Sequence, residues 1–269
     1  MDGKTSLTHT EEKSEFAETS KKLLITGGTG KLGSQLVRVF PNSIHPDHGQ
    51  LDIANTSAVS EFVERTQPEV LIHCAAVTGI RACEEGRELA WSVNVQGTRN
   101  LVEACQRYAS NCYFVHISTP CVFYGDKGGY SETDIPYPKN FYGVTKLASE
   151  LAVLSSGLDR FLVVRTNFIP KEPWPYERAF VDRYGTYLFA VDVAKAIKFV
   201  IRQQLPGIIH ICGNRKVSMF DLAKSTTPNI RPMTLSEYNG PPLTVDMSLI
   251  SKRIEAFTMS QSLELAASR

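Results

Sequence analysis

The segment "LLITGGTGKLG", Leu23 to Gly33, gives the clearest indication of the fold. A short apolar run continues directly into glycines at G-x-x-G-x-x-G spacing, namely Gly27, Gly30 and Gly33, and a helix-like segment follows. Glycines there permit a tight turn, and they let the backbone amides near Leu32 approach a pyrophosphate at the start of the helix. The context favours a dinucleotide-binding loop over an ordinary glycine-rich turn.

The rest of the chain repeats the same βα rhythm. Short runs that are apolar throughout predict strands, and longer segments predict helices over roughly 33–40, 56–66, 84–108 and 141–156; the strands are "LLIT", "SIH", "VLIH", "YFVHI" and "FLVV". This alternation predicts an α/β fold with a doubly wound, Rossmann-like parallel sheet.

The pattern weakens after Arg165, which divides the chain into three predicted parts. Residues 1–20 are polar and predict a flexible tail. Residues 21–166 form the predicted dinucleotide-binding domain. Residues 167–269, with prolines followed by one helix-like and one strand-like run, predict a smaller C-terminal substrate-binding lobe interleaved with the first domain.

Composition excludes several classes of partner. The 29 basic and 28 acidic side chains leave a net charge of +1, without the basic run that nucleic acid would select. No apolar run is long enough to span a membrane. The six cysteines lack metal-ligand spacing, so we expect no metal and reduced thiols in a cytoplasmic protein.

Further residues are expected to hold the dinucleotide. Asp47 follows the second strand, where an acid binds a ribose hydroxyl and favours NAD, whereas Lys31 in the loop leaves NADP open. Asp52 and Ile53 lie in "QLDIAN", and Ala75 and Ala76 follow the third strand, where a flat ligand meets an open sheet. Close packing alone would explain the two alanines equally well.

Three positions predict a reaction centre. The "IST" at 117–119 ends a strand, and Tyr142 and Lys146 are four residues apart on the next helix, which puts them on one face. A nearby ammonium would lower the pKa of the phenol, and Ser118 or Thr119 would hold a carbonyl oxygen. The spacing alone would also fit a half-exposed tyrosine with a solvated lysine.

These segments carry a resemblance. "TGGTGKLG", "LDIAN", "HCAAVTG", "NVQGT", "VVRTNF" and the run from Ile117 to Glu150 resemble the extended short-chain dehydrogenase/reductase family. The long run is especially similar to dTDP-4-dehydrorhamnose reductases. The resemblance implies that Tyr142 donates a proton, that Lys146 also binds the nicotinamide ribose, and that Thr119, with Ser118 beside it, polarises the substrate carbonyl.

The resemblance also implies a substrate and leaves alternatives open. It predicts reduction of a 4-keto-6-deoxy nucleotide sugar with NADPH or NADH, and Asn167, Arg178 and Arg183 are candidates for binding that anionic substrate. Pro120 and Cys121 depart from the family's acidic and aromatic residues. A nucleotide-sugar epimerase and a non-catalytic NAD(P)-binding regulatory subunit therefore remain alternatives. The long helices could form a homodimer interface or be covered within one chain.

Overall fold

The computed structural model describes residues 22–260, so the predicted tail at 1–20 lies outside the described residues. The strands are β1 (Leu23–Thr26), β2 (Val70–His73), β3 (Tyr113–Ser118), β4 (Phe161–Thr166), β5 (Phe168–Ile169), β6 (Arg178–Phe180), β7 (Tyr184–Gly185), β8 (Leu188–Phe189), β9 (Gly207–Ile211), β10 (Val217–Ser218), β11 (Arg231–Met233) and β12 (Asp246–Met247). The helices are α1 (Gly33–Val39), α2 (Thr56–Thr66), α3 (Ile80–Glu85), α4 (Arg87–Trp91), α5 (Gly97–Tyr108), α6 (Phe141–Leu154), α7 (Ala190–Arg202) and α8 (Met219–Lys224).

A parallel sheet in the order β1-β2-β3-β4-β9 forms the centre of the described chain, which confirms the predicted α/β fold. Its strands are apolar on both sides because helices cover both faces. Leu23 and Ile25 pack towards α1 and α7, whereas Leu24 faces α2 and α5. Burial on both faces explains why these strands read as continuous apolar runs.

Two predicted elements differ from the structure. The run "SIH" forms only one parallel bridge, between Ile44 and Leu24, because Pro46 ends the extended segment. The helix predicted over 84–108 is interrupted: α3 ends before Gly86, and a π-helical turn at Ser92–Gln96 separates α4 from α5. The π-helical turn contains one more residue than an α-helical turn, which changes the direction of the side chains in it.

The chain after Thr166 contributes to two regions. Helix α7 packs on α1, and β9 pairs with β4 in the central sheet. The small sheets β5-β8, β6-β11 and β10-β7-β12 lie outside it. Among residues 22–260, no helix is long and apolar enough to cross a bilayer.

The order in which the chain adds strands to the sheet reverses at β1. The chain leaves β1 towards the Ile44 bridge on one side, whereas β2 pairs on the other. Loops at such a point separate and leave a crevice at the carboxyl ends of the strands, where ligands of open α/β sheets bind. The glycine loop and Ala75 both lie there.

Candidate active site

The glycine loop closes tightly on its surroundings. Gly27 has a φ of +72°, and a β-carbon there would lie 2.6 Å from the backbone nitrogen of Ala75. A β-carbon on Gly33 would lie 2.0 Å from the carbonyl oxygen of Gly27, and the Gly30 amide donates to that oxygen at 3.0 Å. Only glycine fits these positions, and the resulting bare backbone at the start of α1 suits a pyrophosphate.

The other residues predicted to bind the cofactor differ in their burial and in their hydrogen bonds. Leu32 is buried at the N-cap of α1, whereas Lys31 beside it is exposed. The Asp47 carboxylate is exposed and accepts a hydrogen bond from the Gln50 amide at 2.9 Å. Ala76 is partly buried beyond Ala75, after β2.

Asp52 and Ile53 shape the chain before α2. Asp52 accepts from the Ala54 amide at 2.9 Å, and the buried side chain of Ile53 packs against Gly97. Asn100 donates to the Ile53 carbonyl at 2.9 Å. Asp52 remains partly exposed, so its carboxylate retains acceptor capacity.

Lys146 is buried, and its ammonium group contacts β3. Its Nζ donates to the Ile117 carbonyl at 2.8 Å and lies 3.3 Å from His116 Nε2. Desolvation lowers the pKa of Lys146 to about 8, although the charges of Glu150 and Cys74 act in the opposite direction. The ammonium is therefore fixed in place and less strongly basic than an exposed lysine.

Tyr142 and Thr119 lie together at the carboxyl end of β3. The Thr119 hydroxyl accepts from the Cys121 amide at 3.2 Å, and it is close enough to the Tyr142 phenol to influence its pKa. Desolvation raises the pKa of Tyr142, Cys121 adds to the rise, and the Thr119 hydrogen bond opposes it. The lowering of the Tyr142 pKa that was expected from Lys146 is not seen, because Lys146 is not among the groups that act on this phenol. The phenol is thus protonated at neutral pH.

Ser118 points elsewhere than the sequence pattern suggested. Its hydroxyl donates to the Glu150 carboxylate, which forms a buried ion pair with Arg165 in β4, with Nη2 to Oε2 at 2.6 Å and Nε to Oε1 at 3.0 Å. The Ser118 hydroxyl therefore uses its proton in the hydrogen bond to Glu150 and does not hydrogen-bond Tyr142. A charge within an apolar strand, as in "VVRT", was the sequence signal for this pair.

Asn94 connects the site to the loop after β2. It lies in the π-helical turn, exchanges two hydrogen bonds with the backbone of Val77, and donates to Thr145 Oγ1 at 2.9 Å. Thr145 in turn donates to the Tyr142 carbonyl at 2.8 Å. Asn94 therefore fixes α6 relative to the loop after β2.

The three substrate candidates differ in their surroundings. Asn167 follows β4 at the same sheet edge as Thr119. Arg183 is buried and donates to the Thr244 carbonyl at 2.9 Å. Arg178 instead pairs with Glu237 and donates to the Pro232 carbonyl, so its charge is already balanced within the small lobe.

Tyr187 is a candidate that sequence reasoning missed. It is 3% exposed and shares an apolar cluster with Cys121 and Tyr142. The sequence around Tyr187 does not predict a strand end, because the flanking strands β7 and β8 are only two residues long. A tyrosine just before a short buried strand at a sheet edge is indistinguishable by sequence from a core residue.

Comparison with known proteins assigns a family. The family model described as "RmlD substrate binding domain" matches residues 21–183. A dTDP-4-dehydrorhamnose reductase from Aggregatibacter actinomycetemcomitans is 31% identical over 231 residues, which cover 75% of this chain and 76% of that protein. Methionine adenosyltransferase 2 subunit beta from Rattus norvegicus is 26% identical, covering 90% of this chain and 84% of that one.

A solved structure resembles the whole architecture. The dTDP-4-dehydrorhamnose reductase from Bacillus anthracis, crystallised in complex with NADP, superimposes with a TM-score of 0.80 at 28% identity. The match covers 86% of this chain and 91% of that one. The similarity therefore extends over most of this chain.

Proposed function

We propose that this chain, which belongs to the RmlD substrate binding domain family, reduces the keto group of a 4-keto-6-deoxy nucleotide sugar with NADPH or NADH. One observation carries the proposal: Thr119 and Tyr142 lie together at the sheet edge that also holds the glycine loop, and Lys146 is buried and fixed on the same helix as Tyr142. The reductase relatives named above support the same substrate class.

The residues present fit a dinucleotide. The close packing at Gly27 and Gly33 leaves bare backbone at the start of α1 for the pyrophosphate, Asp47 or Lys31 would meet the adenosine ribose, and Ala75 and Ala76 line the crevice beside it. When bound, the nicotinamide supplies the hydride. The NADP complex of the Bacillus anthracis relative supports NADPH, while Asp47 keeps NADH open.

The residues of this chain would position the substrate carbonyl and supply the proton that its oxygen receives. Thr119, anchored by the Cys121 amide, retains its hydroxyl proton to donate to a carbonyl oxygen. Tyr142 is protonated at neutral pH because desolvation raises its pKa, so it can protonate the alkoxide that forms on that oxygen. Lys146 lies on the same helical face, where its ammonium would stabilise the negative charge of the phenolate that remains after proton transfer.

Loss of reduced-nicotinamide absorbance tests the proposal. The purified protein is mixed with a dTDP- or UDP-4-keto-6-deoxy sugar, with NADH and NADPH in separate reactions. We expect turnover with at least one pair. Absence of turnover with every pair, in protein that binds either cofactor, would count against a reductase.

Two other functions predict different outcomes of the same experiment. Tightly retained NAD and interconversion of sugar epimers without net oxidation would indicate an epimerase. A stoichiometric partner and no turnover would indicate a regulatory subunit, an alternative that Pro120 and Cys121 and the similarity to methionine adenosyltransferase 2 subunit beta favour.

We also propose a homodimer through α4, α5 and α6. Large apolar side chains on α4 and α6 are exposed, including Leu89 at 62%, Trp91 at 45% and Leu151 at 54%. Such a face is typical of an interface. Light scattering is expected to give twice the chain mass, and Leu151→Glu is expected to give the monomer mass; a wild-type monomer would contradict the proposal.

We place the protein in the cytoplasm. All six cysteines are free thiols, as a reducing compartment favours. Cell fractionation tests this location.

A further inference from the structure

Two histidines that the proposed mechanism does not use are buried near Lys146. His73 ends β2 and His116 lies in β3, with their ring centroids 5.2 Å apart. Lys146 Nζ lies 3.3 Å from His116 Nε2. Within residues 22–260, no carboxylate forms a hydrogen bond or an ion pair with any of these three side chains. Their bonds to neutral groups therefore decide which of them carries a proton.

His73 is a neutral ring with both nitrogens bonded. The Thr98 hydroxyl donates to the Asn94 carbonyl at 2.7 Å, so it accepts from His73 Nε2, which lies 2.9 Å away. Nδ1 is then the acceptor for the Thr26 hydroxyl at 2.7 Å. Desolvation lowers the pKa of His73 to about 3, and the charge of Lys146 acts in the same direction. His73 therefore has no free nitrogen with which to take a proton from its neighbours.

His116 differs from His73, because two groups compete for one of its nitrogens. Nε2 lies 2.9 Å from Ser149 Oγ and 3.3 Å from Lys146 Nζ, whereas Nδ1 has no hydrogen-bond partner in the described chain. The Ser149 hydroxyl already donates to the Lys146 carbonyl at 2.7 Å. Desolvation holds the pKa of His116 well below its usual value, and the charges of Lys146 and His73 act in the same direction. The ring is therefore neutral, and its single N–H is on either Nε2 or Nδ1.

The charge of Lys146 determines which nitrogen of His116 carries that proton. A proton on Nε2 would be donated to Ser149 Oγ, but it would also direct an N–H at the Lys146 ammonium. A proton on Nδ1 leaves Nε2 bare, so that Nε2 accepts a charge-assisted hydrogen bond from the ammonium. The cost is a buried Nδ1–H without a partner. Because charge-assisted bonds are the stronger ones, the Nδ1–H form is favoured while Lys146 is charged.

In this form His116 fixes the direction of the Lys146 ammonium. A lysine ammonium has three N–H donors. One is donated to the Ile117 carbonyl at 2.8 Å and a second to His116 Nε2, and within residues 22–260 Nζ has no other acceptor. Both acceptors belong to β3. The third donor is therefore free for groups in the crevice.

We propose that His116 is a positioning residue for Lys146: its Nδ1–H tautomer accepts from the ammonium and holds it against β3, with one donor left for the crevice. His116 is fully buried, so it meets neither substrate nor cofactor and acts only through the lysine. Ser149 is the competing partner, which favours the Nε2–H form when the ammonium is absent. The role rests on the proposed function, because the reaction is what requires a fixed ammonium.

Nitrogen-15 NMR of histidine-labelled protein tests the tautomer without turnover. Long-range proton–nitrogen correlations distinguish a ring protonated on Nδ1 from one protonated on Nε2, and the signal lost in His116→Gln identifies His116. We expect Nδ1–H in the wild type at neutral pH and Nε2–H in Lys146→Met, where Ser149 remains as the partner of Nε2. The same tautomer in both proteins, or a wild-type ring protonated on Nε2, overturns the proposal.

Two substitutions of His116 separate positioning from packing. In His116→Leu the ammonium loses its second acceptor, and we expect kcat to fall at least about tenfold, as loss of a hydrogen bond to a charged group implies. In His116→Gln the amide oxygen can replace Nε2 as the acceptor, so kcat should stay within about threefold of wild type. KM for the keto sugar should change less than kcat in both. Equal losses of kcat in the two folded variants would show that only packing is affected.

His210→Leu is the matched control. His210 is also a fully buried imidazole of the central sheet, but its Nδ1 donates to the carbonyls of Tyr130 and Ile250 and it does not contact Lys146. We expect a lower melting temperature and a kcat within about twofold of wild type. Melting also reports whether the His116 variants are folded. If His116→Leu does not fold, the tautomers of wild type and Lys146→Met decide the proposal.

Turnover separates this inference from the proposed function. A tautomer that follows the charge of Lys146, in a protein that reduces no keto sugar, keeps the link between His116 and Lys146 and removes the reductase. Reduction with unchanged kcat in His116→Leu keeps the reductase and removes the positioning role.

Discussion

Replacing Tyr142 with phenylalanine is expected to lower kcat for keto-sugar reduction at least about 100-fold, the scale of losing a general acid. The variant keeps the ring and its packing against Cys121 and loses only the hydroxyl. Because the phenol is protonated at neutral pH, its removal leaves the alkoxide without a positioned proton donor. Steady-state rates at saturating cofactor and substrate measure the effect.

Two controls accompany this variant. NADPH affinity should stay within about twofold of wild type, since the change leaves the glycine loop intact. Tyr176→Phe, at a tyrosine that is 69% exposed, should leave kcat unchanged. A Tyr142→Phe protein that retains more than about a third of the wild-type rate would show that another group donates the proton.

Replacing Arg165 with methionine is expected to destabilise the protein by about 3–5 kcal/mol, because it leaves the Glu150 carboxylate buried without its partner. Glu150 is fully buried and Arg165 is 2% exposed, so water cannot compensate. The Arg165 guanidinium also lies 5.0 Å from the Phe123 ring centroid. Denaturant unfolding measures the loss.

The double variant Glu150→Leu/Arg165→Met separates the two parts of that effect. It removes both charges and is expected to recover much of the stability, whereas additive losses would show that packing rather than the unpaired charge dominates. Arg231→Met, at the exposed pair with Glu177, should change stability little. A loss at Arg165 no larger than at Arg231 would refute a structural role for the buried pair.

Local sequence rules predicted much of the architecture. Two patterns were sufficient to predict the α/β fold: the glycine spacing after "LLIT" and the apolar runs of the parallel strands. Close backbone approach permits only glycine at the first, and burial on both faces of the sheet requires apolar residues at the second. The break at Gly86 and the π-helical turn were not predicted, because the helical periodicity of the surrounding residues continues through both.

The candidate site was predictable only where spacing along one element determines proximity. Tyr142 and Lys146 share a helical face, so their relation follows from the sequence. The partner of Ser118 comes from α6, and the difference between Arg178 and Arg183 depends on which of them meets a carboxylate. Such long-range pairings carry no local signal.

The position of β9 has a consequence for how the chain folds. A nascent chain that ends at Thr166 would present β4 as an open sheet edge and α1 without the cover of α7. Unpaired edges and bare apolar faces promote aggregation. The edge of β4 and the apolar face of α1 are covered only after α7 and β9, which ends at Ile211, have been synthesised, so we expect a chain that stops at Thr166 to aggregate.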